Sequence, residues 1–184
     1  FGFEKHAEYG GPNDTVAHAE LRFGPSVIGI SSATPPVPGN PWSQARQGVY
    51  IAVDDVDAHY ERARQAGAEI AMPLRDMDYG SREYTARDPE GLLWAFGSYT
   101  MGRGDGSPTL FPAVFYQDPA AVMRFLCDAF GFTTTLEVPD NRGGLLHAEL
   151  RLGGDCLMIG SRHGSGACVG LTHAVSVYVA DPDG

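Results

Sequence analysis

The residues best suited to chemistry lie in one phrase that occurs twice. His18-Ala19-Glu20-Leu21-Arg22-Phe23-Gly24 returns as His147-Ala148-Glu149-Leu150-Arg151-Leu152-Gly153. Side chains alternate across an extended strand, so His18, Glu20 and Arg22 share one face while Ala19, Leu21 and Phe23 take the other. His147, Glu149 and Arg151 are placed equivalently. A base, an acid and a cation in one row can hydrogen-bond a ligand, with histidine as a general base. The same row also suits a solvated sheet face held by cross-strand ion pairs. A His/Glu metal pair within it is a third reading. Tyr50 alternates with Val49 and Ile51, which places it either against a planar ligand or in the core. No residue is assigned a catalytic role. The chain has no Gly-rich phosphate loop followed by Lys-Ser/Thr, no Cys-x-x-Cys and no Gly-x-Ser-x-Gly elbow.

These rows must be carried by strands, and the strands belong to a repeat. Phe1-Gly2-Phe3 returns as Phe130-Gly131-Phe132, at the same separation as the two His-Ala-Glu-Leu-Arg phrases. Val49 to Asp55 resembles Val175 to Asp181 at a slightly smaller separation, as if a loop had shortened. From Gly48 to Tyr99 the pattern reads β-α-β-β-β. Val49, Ile51 and Val53 alternate as in a half-buried strand. Asp54, Asp55 and Asp57 offer N-cap carboxylates to a helix carrying Val56, Tyr60 and Ala63 and stopping at Gly67. Strands follow from Ala68, over Arg82 to Arg87, and over Leu92 to Tyr99, with Asp88-Pro89-Glu90-Gly91 as the last hairpin turn. Thr109 to Ser161 reads the same way. Leu110 to Tyr116 is a strand, Asp118-Pro119 opens a helix with a Val122, Phe125, Leu126 and Ala129 stripe, and Gly131 ends it. Strands then cover Phe132 to Val138, Leu145 to Leu152 and Cys156 to Ile159.

Phe1 to Ser32 reads as a unit without its opening strand and helix, and Leu171 to Gly184 as the opening strand of a fourth. The expected organisation is a first domain over 1–99, a linker over 100–107 and a second domain over 108–184, cut short at its C-terminus. Incomplete units leave strand edges to pair, so a homodimer is expected. Trp94 and Phe96 are expected in the core. Arg82 and Tyr84 are expected near the rim, and His59 toward solvent. His163 falls in the Gly/Ser-rich loop 160–166. The turn at Asp88 to Gly91 accounts for its own carboxylates.

Composition narrows the function. Of 184 residues, 43% are hydrophobic and 20% charged, with a net charge of −10. No Lys/Arg cluster stands against that charge, which argues against nucleic acid, since phosphate contacts need concentrated positive charge. No apolar run is long enough for a membrane span. The three cysteines, Cys127, Cys156 and Cys168, lack paired spacing, and Cys127 and Cys156 sit among apolar neighbours. A reducing, cytoplasmic setting is expected.

The β-α-β-β-β unit, repeated in pairs, resembles the vicinal-oxygen-chelate superfamily of glyoxalases, bleomycin-resistance proteins and extradiol dioxygenases. So do Val53-Asp54-Asp55-Val56-Asp57-Ala58, Ala66-Gly67-Ala68-Glu69-Ile70, Arg87-Asp88-Pro89-Glu90-Gly91-Leu92-Leu93-Trp94, and Phe125-Leu126 before Phe130-Gly131-Phe132. The resemblance implies an α+β fold whose modules pair into cup-shaped mixed sheets, with helices on the convex face and substrate in the hollow. It also implies metal ligands on the first and last strands of each module. Those positions fall at or near Gly48, Phe111 and Ala174, and at Ala95, Met158 and Gly29, none of which suits a divalent ion. His173, one residue from Ala174, would face the other way. The expected function is therefore a glyoxalase/bleomycin-resistance-like, metal-free small-molecule-binding module without a cofactor, whose acidic chain suits a planar or cationic ligand. Its ligand would rest on His18, Glu20, Arg22, Tyr50, His147, Glu149 and Arg151. The alternatives are a lyase, isomerase or dioxygenase with a divalent metal bound elsewhere, and an interaction domain without a ligand.

Overall fold

A computed structural model describes residues 3–33, 35–45, 47–99, 110–141, 143–162 and 173–177. The expected linker, His163, Cys168 and most of the last expected unit lie outside these residues.

Three strands open the chain: β1 (Glu4–Gly10), β2 (Val16–Phe23) and β3 (Ser26–Ile30), paired antiparallel in that order. They correspond to the last three strands of a module. The first complete module follows, with β4 (Val49–Ala52), α1 (Val56–Gln65), β5 (Glu69–Asp76), β6 (Arg82–Arg87) and β7 (Leu93–Gly97). Its sheet order is β4-β7-β6-β5, with β4 and β7 parallel and the other pairs antiparallel. The second complete module has β8 (Leu110–Tyr116), α2 (Pro119–Phe130), β9 (Thr133–Pro139), β10 (Leu145–Leu152) and β11 (Asp155–Ser161). It repeats the order as β8-β11-β10-β9, and β12 (His173–Val177) joins antiparallel to β8. The fold is α+β, built from repeated βαβββ modules.

Local signals set the elements. Asp55 caps α1 by accepting the amide of Ala58 at 2.9 Å, and Asp118 caps α2 by accepting that of Ala121 at 2.9 Å. Pro119 fills the first turn, where its missing N–H costs nothing. Gly131 ends α2 at φ 79°, a left-handed conformation that glycine adopts without a Cβ penalty.

Helix-bearing faces of the two complete modules meet. α1 packs on α2, and one core runs from Ile51, Tyr84, Trp94 and Phe96 to Leu126, Phe130, Phe132 and Ile159. The Phe130 ring stands 5.8 Å from Trp94 and 4.8 Å from Phe96, so aromatic contacts cross from module to module.

Three expectations change here. His59 does not face solvent. It is partly buried between the modules, with Nδ1 2.7 Å from Tyr84 Oη and Nε2 2.9 Å from the Phe130 carbonyl. The carbonyl can only accept, so Nε2 carries the proton and Nδ1 accepts from Tyr84. Tyr84 is not a rim residue but is fully buried, while Arg82 does lie partly exposed, paired with Asp57 and Asp76. The Asp88–Gly91 turn does more than reverse the chain. Asp88, only 4% exposed, accepts from the amides of Glu90 and Leu92 with Oδ1, and from Trp94 Nε1 and Tyr116 Oη with Oδ2. Glu90 Oε1 accepts the amides of Gln117 and Asp118 at 2.6 and 2.9 Å. The hairpin thus fastens one module to the next.

Candidate functional site

Alternation leaves one face of β4-β7-β6-β5 free of helices. Val49 and Ile51 pack in the core, which turns Tyr50 to the other side. Trp94 and Phe96 likewise turn Ala95 and Gly97 there, and Tyr84 and Ala86 turn Glu83 and Thr85 there. The register aligns Tyr50, Ala95, Thr85 and Met72 in one row across the sheet. Trp42 lies over one end. Its 3-10 turn, Pro41–Gln44, is capped by Asn40, and its Nε1 donates to Thr85 Oγ1 at 3.0 Å. The indole fills the space that a Cβ on Gly48 would need, so glycine at 48 admits the ring.

At the other end the face becomes polar. Tyr79 Oη donates to Glu83 at 2.9 Å, and Glu83 is 7% exposed. Tyr50 Oη accepts the Tyr99 amide at 3.0 Å, which also lies 3.1 Å from Ser81 Oγ. Tyr99 Oη reaches the first sheet and donates to Glu20 Oε1 at 2.6 Å. Glu20, 2% exposed, also has His18 Nε2 at 3.5 Å and His6 Nε2 at 3.9 Å. A β-bulge between Lys5 and Ala7 brings His6 toward the Glu20 side. A polar chain therefore runs from Glu83 through Tyr50 and Tyr99 to Glu20 and its histidines.

Burial and hydrogen bonds shift the ionisation of Glu20 and of the three phenols on this chain. Burial opposes the ionised form of Glu20, but the Tyr99 hydrogen bond and the two histidines outweigh it and hold the carboxyl below its ordinary value. Burial, with Glu83 nearby, pushes the Tyr50 phenol up to about 12. The hydrogen bond to Glu20, then burial, pushes Tyr99 up to about 12. Burial and Glu83 also raise Tyr79. All three phenols remain donors at neutral pH.

The structure distributes the expected residues unevenly. Glu20, His18 and Tyr50 join the chain just described. Arg22 shares the Glu20 strand face, in register with Glu4 and Val27. His147, Glu149 and Arg151 lie on the helix-free face of the second module, since Ala148 and Leu150 are core. His147 Nε2 stands 3.8 Å from Glu149, a pair that echoes His18 and Glu20. The second row is open, however: Glu149 is 37% exposed and Arg151 exposed. Sequence reading missed His6, Trp42, Tyr79, Ser81, Glu83 and Tyr99. Alternation from Ala95 through Gly97 already put Tyr99 on the Tyr50 face, and alternation from Thr85 put Glu83 there. Trp42 was signalled only by an aromatic ring in a Pro/Gly/Asn-rich loop.

The donor set does not fit a divalent ion at the positions where the family's catalytic members bind one. Ala95 stands beside Tyr50 and Thr85, and Gly29 beside Glu20. Ala174, Ala113, Met158 and Glu149 form one row across the second sheet, with one carboxylate and no imidazole. His173 is in register with Val114, one step from that row. Among the described residues no three His, Cys, Asp or Glu side chains are grouped to hold a metal.

Clefts among the described residues lie elsewhere. One, of about 410 Å³, sits at the seam between modules beside Arg87, Glu90, Tyr116, Arg162 and His173. Another, of about 480 Å³, lies beside Pro36 to Pro41 and β5. Arg87 already pairs with Glu69 and the Gly91 carbonyl, and Arg162 with the Phe115 carbonyl. Buried groups able to receive a ligand are concentrated on the helix-free face instead, and the candidate site is placed there.

Comparison with known proteins agrees with the architecture. Among solved structures, a mutant of 4-hydroxymandelate synthase from Streptomyces coelicolor aligns with a TM-score of 0.58 at 16% identity, covering 87% of this chain and 55% of that one. The Mn(II)-bound glyoxalase from Novosphingobium aromaticivorans gives the same TM-score and identity, covering 87% and 54%. At that identity the likeness concerns the fold alone. Uncharacterised proteins of Mycobacterium bovis and Mycobacterium tuberculosis are 33% identical over 98 residues. That match covers 47% of this chain and 61% and 55% of theirs, so the chain spans little more than half their length. No described helix is long and apolar enough to cross a membrane, which says nothing of spanning by strands. The Glyoxalase/Bleomycin resistance protein/Dioxygenase family model matches residues 1–96, from the first strands to the end of β7, and the chain belongs to that superfamily.

Proposed function

We propose that the protein binds a small organic molecule on the helix-free face of its first complete module, without a resident metal. The supporting observation is the polar chain that runs from that face to the first sheet. Two carboxylates, Glu20 and Glu83, are held almost out of water by phenols and histidines, on a surface where no helix calls for them. Burying such groups costs free energy unless they are bonded, and binding sites are where proteins bear that cost. Tyr50 and Trp42 supply flat walls. The matching row at His147, Glu149 and Arg151 provides a second surface of the same kind, more open to water.

The test has two parts on the purified protein. A panel of small planar compounds is screened by thermal shift, and metal content is measured by mass spectrometry. Binding to the folded state alone raises stability by about 2.7 kcal/mol at a hundredfold excess over Kd. A raised midpoint with substoichiometric metal is expected. Stoichiometric zinc, nickel, manganese or iron would overturn the metal-free reading and favour lyase, isomerase or dioxygenase chemistry. No shift with any compound would leave an interaction domain.

A further inference from the structure

Glu83 is harder to explain than Glu20. Its carboxylate is 7% exposed, yet among the described residues no cation comes within the 4 Å of an ion pair. Its sequence neighbour Arg82 points to the opposite face and is held by Asp57 and Asp76. Arg75, opposite Glu83 in register, is exposed and does not close on it. Among the described residues the side chains that bond or flank the Glu83 carboxylate are neutral phenols, with Tyr79 donating to it and Tyr50 beside it. Glu20 differs, because two imidazoles face it. The backbone makes room for the arrangement at Gly97, where a Cβ would stand 2.6 Å from both Glu83 Cγ and Tyr50 Oη.

A buried carboxylate without a counter-charge loses more hydration than phenols return. The partner that the described residues do not supply is a positive charge, and the surroundings match one. Tyr79 is 58% exposed, and its ring stands 6.4 Å from Tyr99 at 80°. Tyrosine faces attract cations through the ring quadrupole, more strongly where water is thin. Tyr79 lies on the turn between β5 and β6, where Gly80 has φ 87° and the Met77 amide bonds the Ser81 carbonyl at 2.7 Å. A ligand that reaches Glu83 would take the place of the Tyr79 hydroxyl on the carboxylate and keep the Tyr79 ring as a wall.

We propose that Glu83, ringed by Tyr50, Tyr79 and Tyr99, receives a positively charged nitrogen, so that the ligand class is an aromatic ammonium or amidinium cation. This rests on the binding function above and adds the charge of the ligand and the residue that reads it.

Benzamidinium and its neutral counterpart benzamide serve as probes, with binding followed by calorimetry on the whole chain. The cation is expected to bind roughly tenfold or more tightly than the amide. Glu83→Gln should reduce that preference to about twofold, while Glu61→Gln, an equal charge change on the exposed face of α1, should leave it intact. Tyr79→Leu covers the case in which Glu83→Gln does not fold. It should weaken the cation about two- to fivefold and the amide little. Equal binding of cation and amide by the parent overturns the charge assignment and spares the binding function. A preference that survives Glu83→Gln, or survives Tyr79→Leu unchanged, also overturns it. Binding of neither probe counts against the assignment, and if the wider panel also fails, against the binding function with it.

Discussion

Asp88 offers the sharpest test of how the two modules are held together. Its carboxylate accepts four hydrogen bonds, and each replacement removes a different subset. Asp88→Ala leaves the amides of Glu90 and Leu92, Trp94 Nε1 and Tyr116 Oη without their acceptor. Trp94 and Tyr116 are 0% and 1% exposed, so water cannot replace it for them. Each buried orphan donor costs about 1–3 kcal/mol, which with partial relaxation gives about 3–6 kcal/mol. Asp88→Asn is the more telling change. The amide oxygen can keep the two backbone bonds, but the NH2 then meets Trp94 Nε1, which can only donate, and Tyr116, which must turn to accept. Loss of one charge-assisted bond and a donor-donor contact should cost about 2–4 kcal/mol. Tyr116→Phe removes a single bond across the modules and should cost about 1–2 kcal/mol. Because both changes act on one bond, their combination should fall short of the sum by at least about 0.5 kcal/mol. Urea denaturation followed by tryptophan fluorescence reads all of these. If Asp88→Asn stays within about 0.5 kcal/mol of the parent, or adds fully to Tyr116→Phe, the hairpin is not the fastening described.

Two further predictions concern other parts of the molecule. Burial, reinforced by the nearby Arg62 charge and only partly opposed by the Phe130 carbonyl, holds the His59 imidazole below its ordinary value of 6.5. A depressed folded value means that the unfolded chain binds the proton first, so this stability is complete above about pH 6.5 and is lost as the pH falls below it. His173, also lowered by burial, acts in the same window, so His59→Gln should flatten the decline of the melting midpoint between about pH 6.5 and 5 without abolishing it. An unchanged slope would refute the buried, neutral His59. Gly97→Ala should destabilise by about 1–3 kcal/mol, because the new methyl must push aside Glu83 and Tyr50, whereas Gly154→Ala, with open space around it, should change little. Equal midpoints for the two variants would show that the Glu83 end is looser than described.

Several features were legible without coordinates because their causes are local. Asp55 and Asp118 cap helices with their own side chains, and Gly131 supplies the left-handed residue that stops α2. Strand alternation placed Trp94 and Phe96 in the core, where both are fully buried, since a period of two leaves only one choice once the core side is known, whereas for Tyr50 it leaves both a ligand and the core open. His59 was misread because its charged sequence neighbours carry no information about Tyr84 and Phe130, which approach from another strand and another helix. Asp88 was undervalued for the same reason, since Tyr116 belongs to the next module.

The doubled His-x-Glu-x-Arg phrase separates the two kinds of knowledge most cleanly. Sequence determined that both copies form a strand, that the three polar residues share one face, and that each histidine stands by its glutamate. Both copies obey, at 3.5 and 3.8 Å. What sequence could not determine is that Glu20 is 2% exposed and Glu149 37%. Strand geometry is written in the strand's own residues, whereas burial depends on what the rest of the chain lays over them. Tyr99 and His6 close over Glu20 from other strands and loops, and among the described residues no tyrosine does so for Glu149.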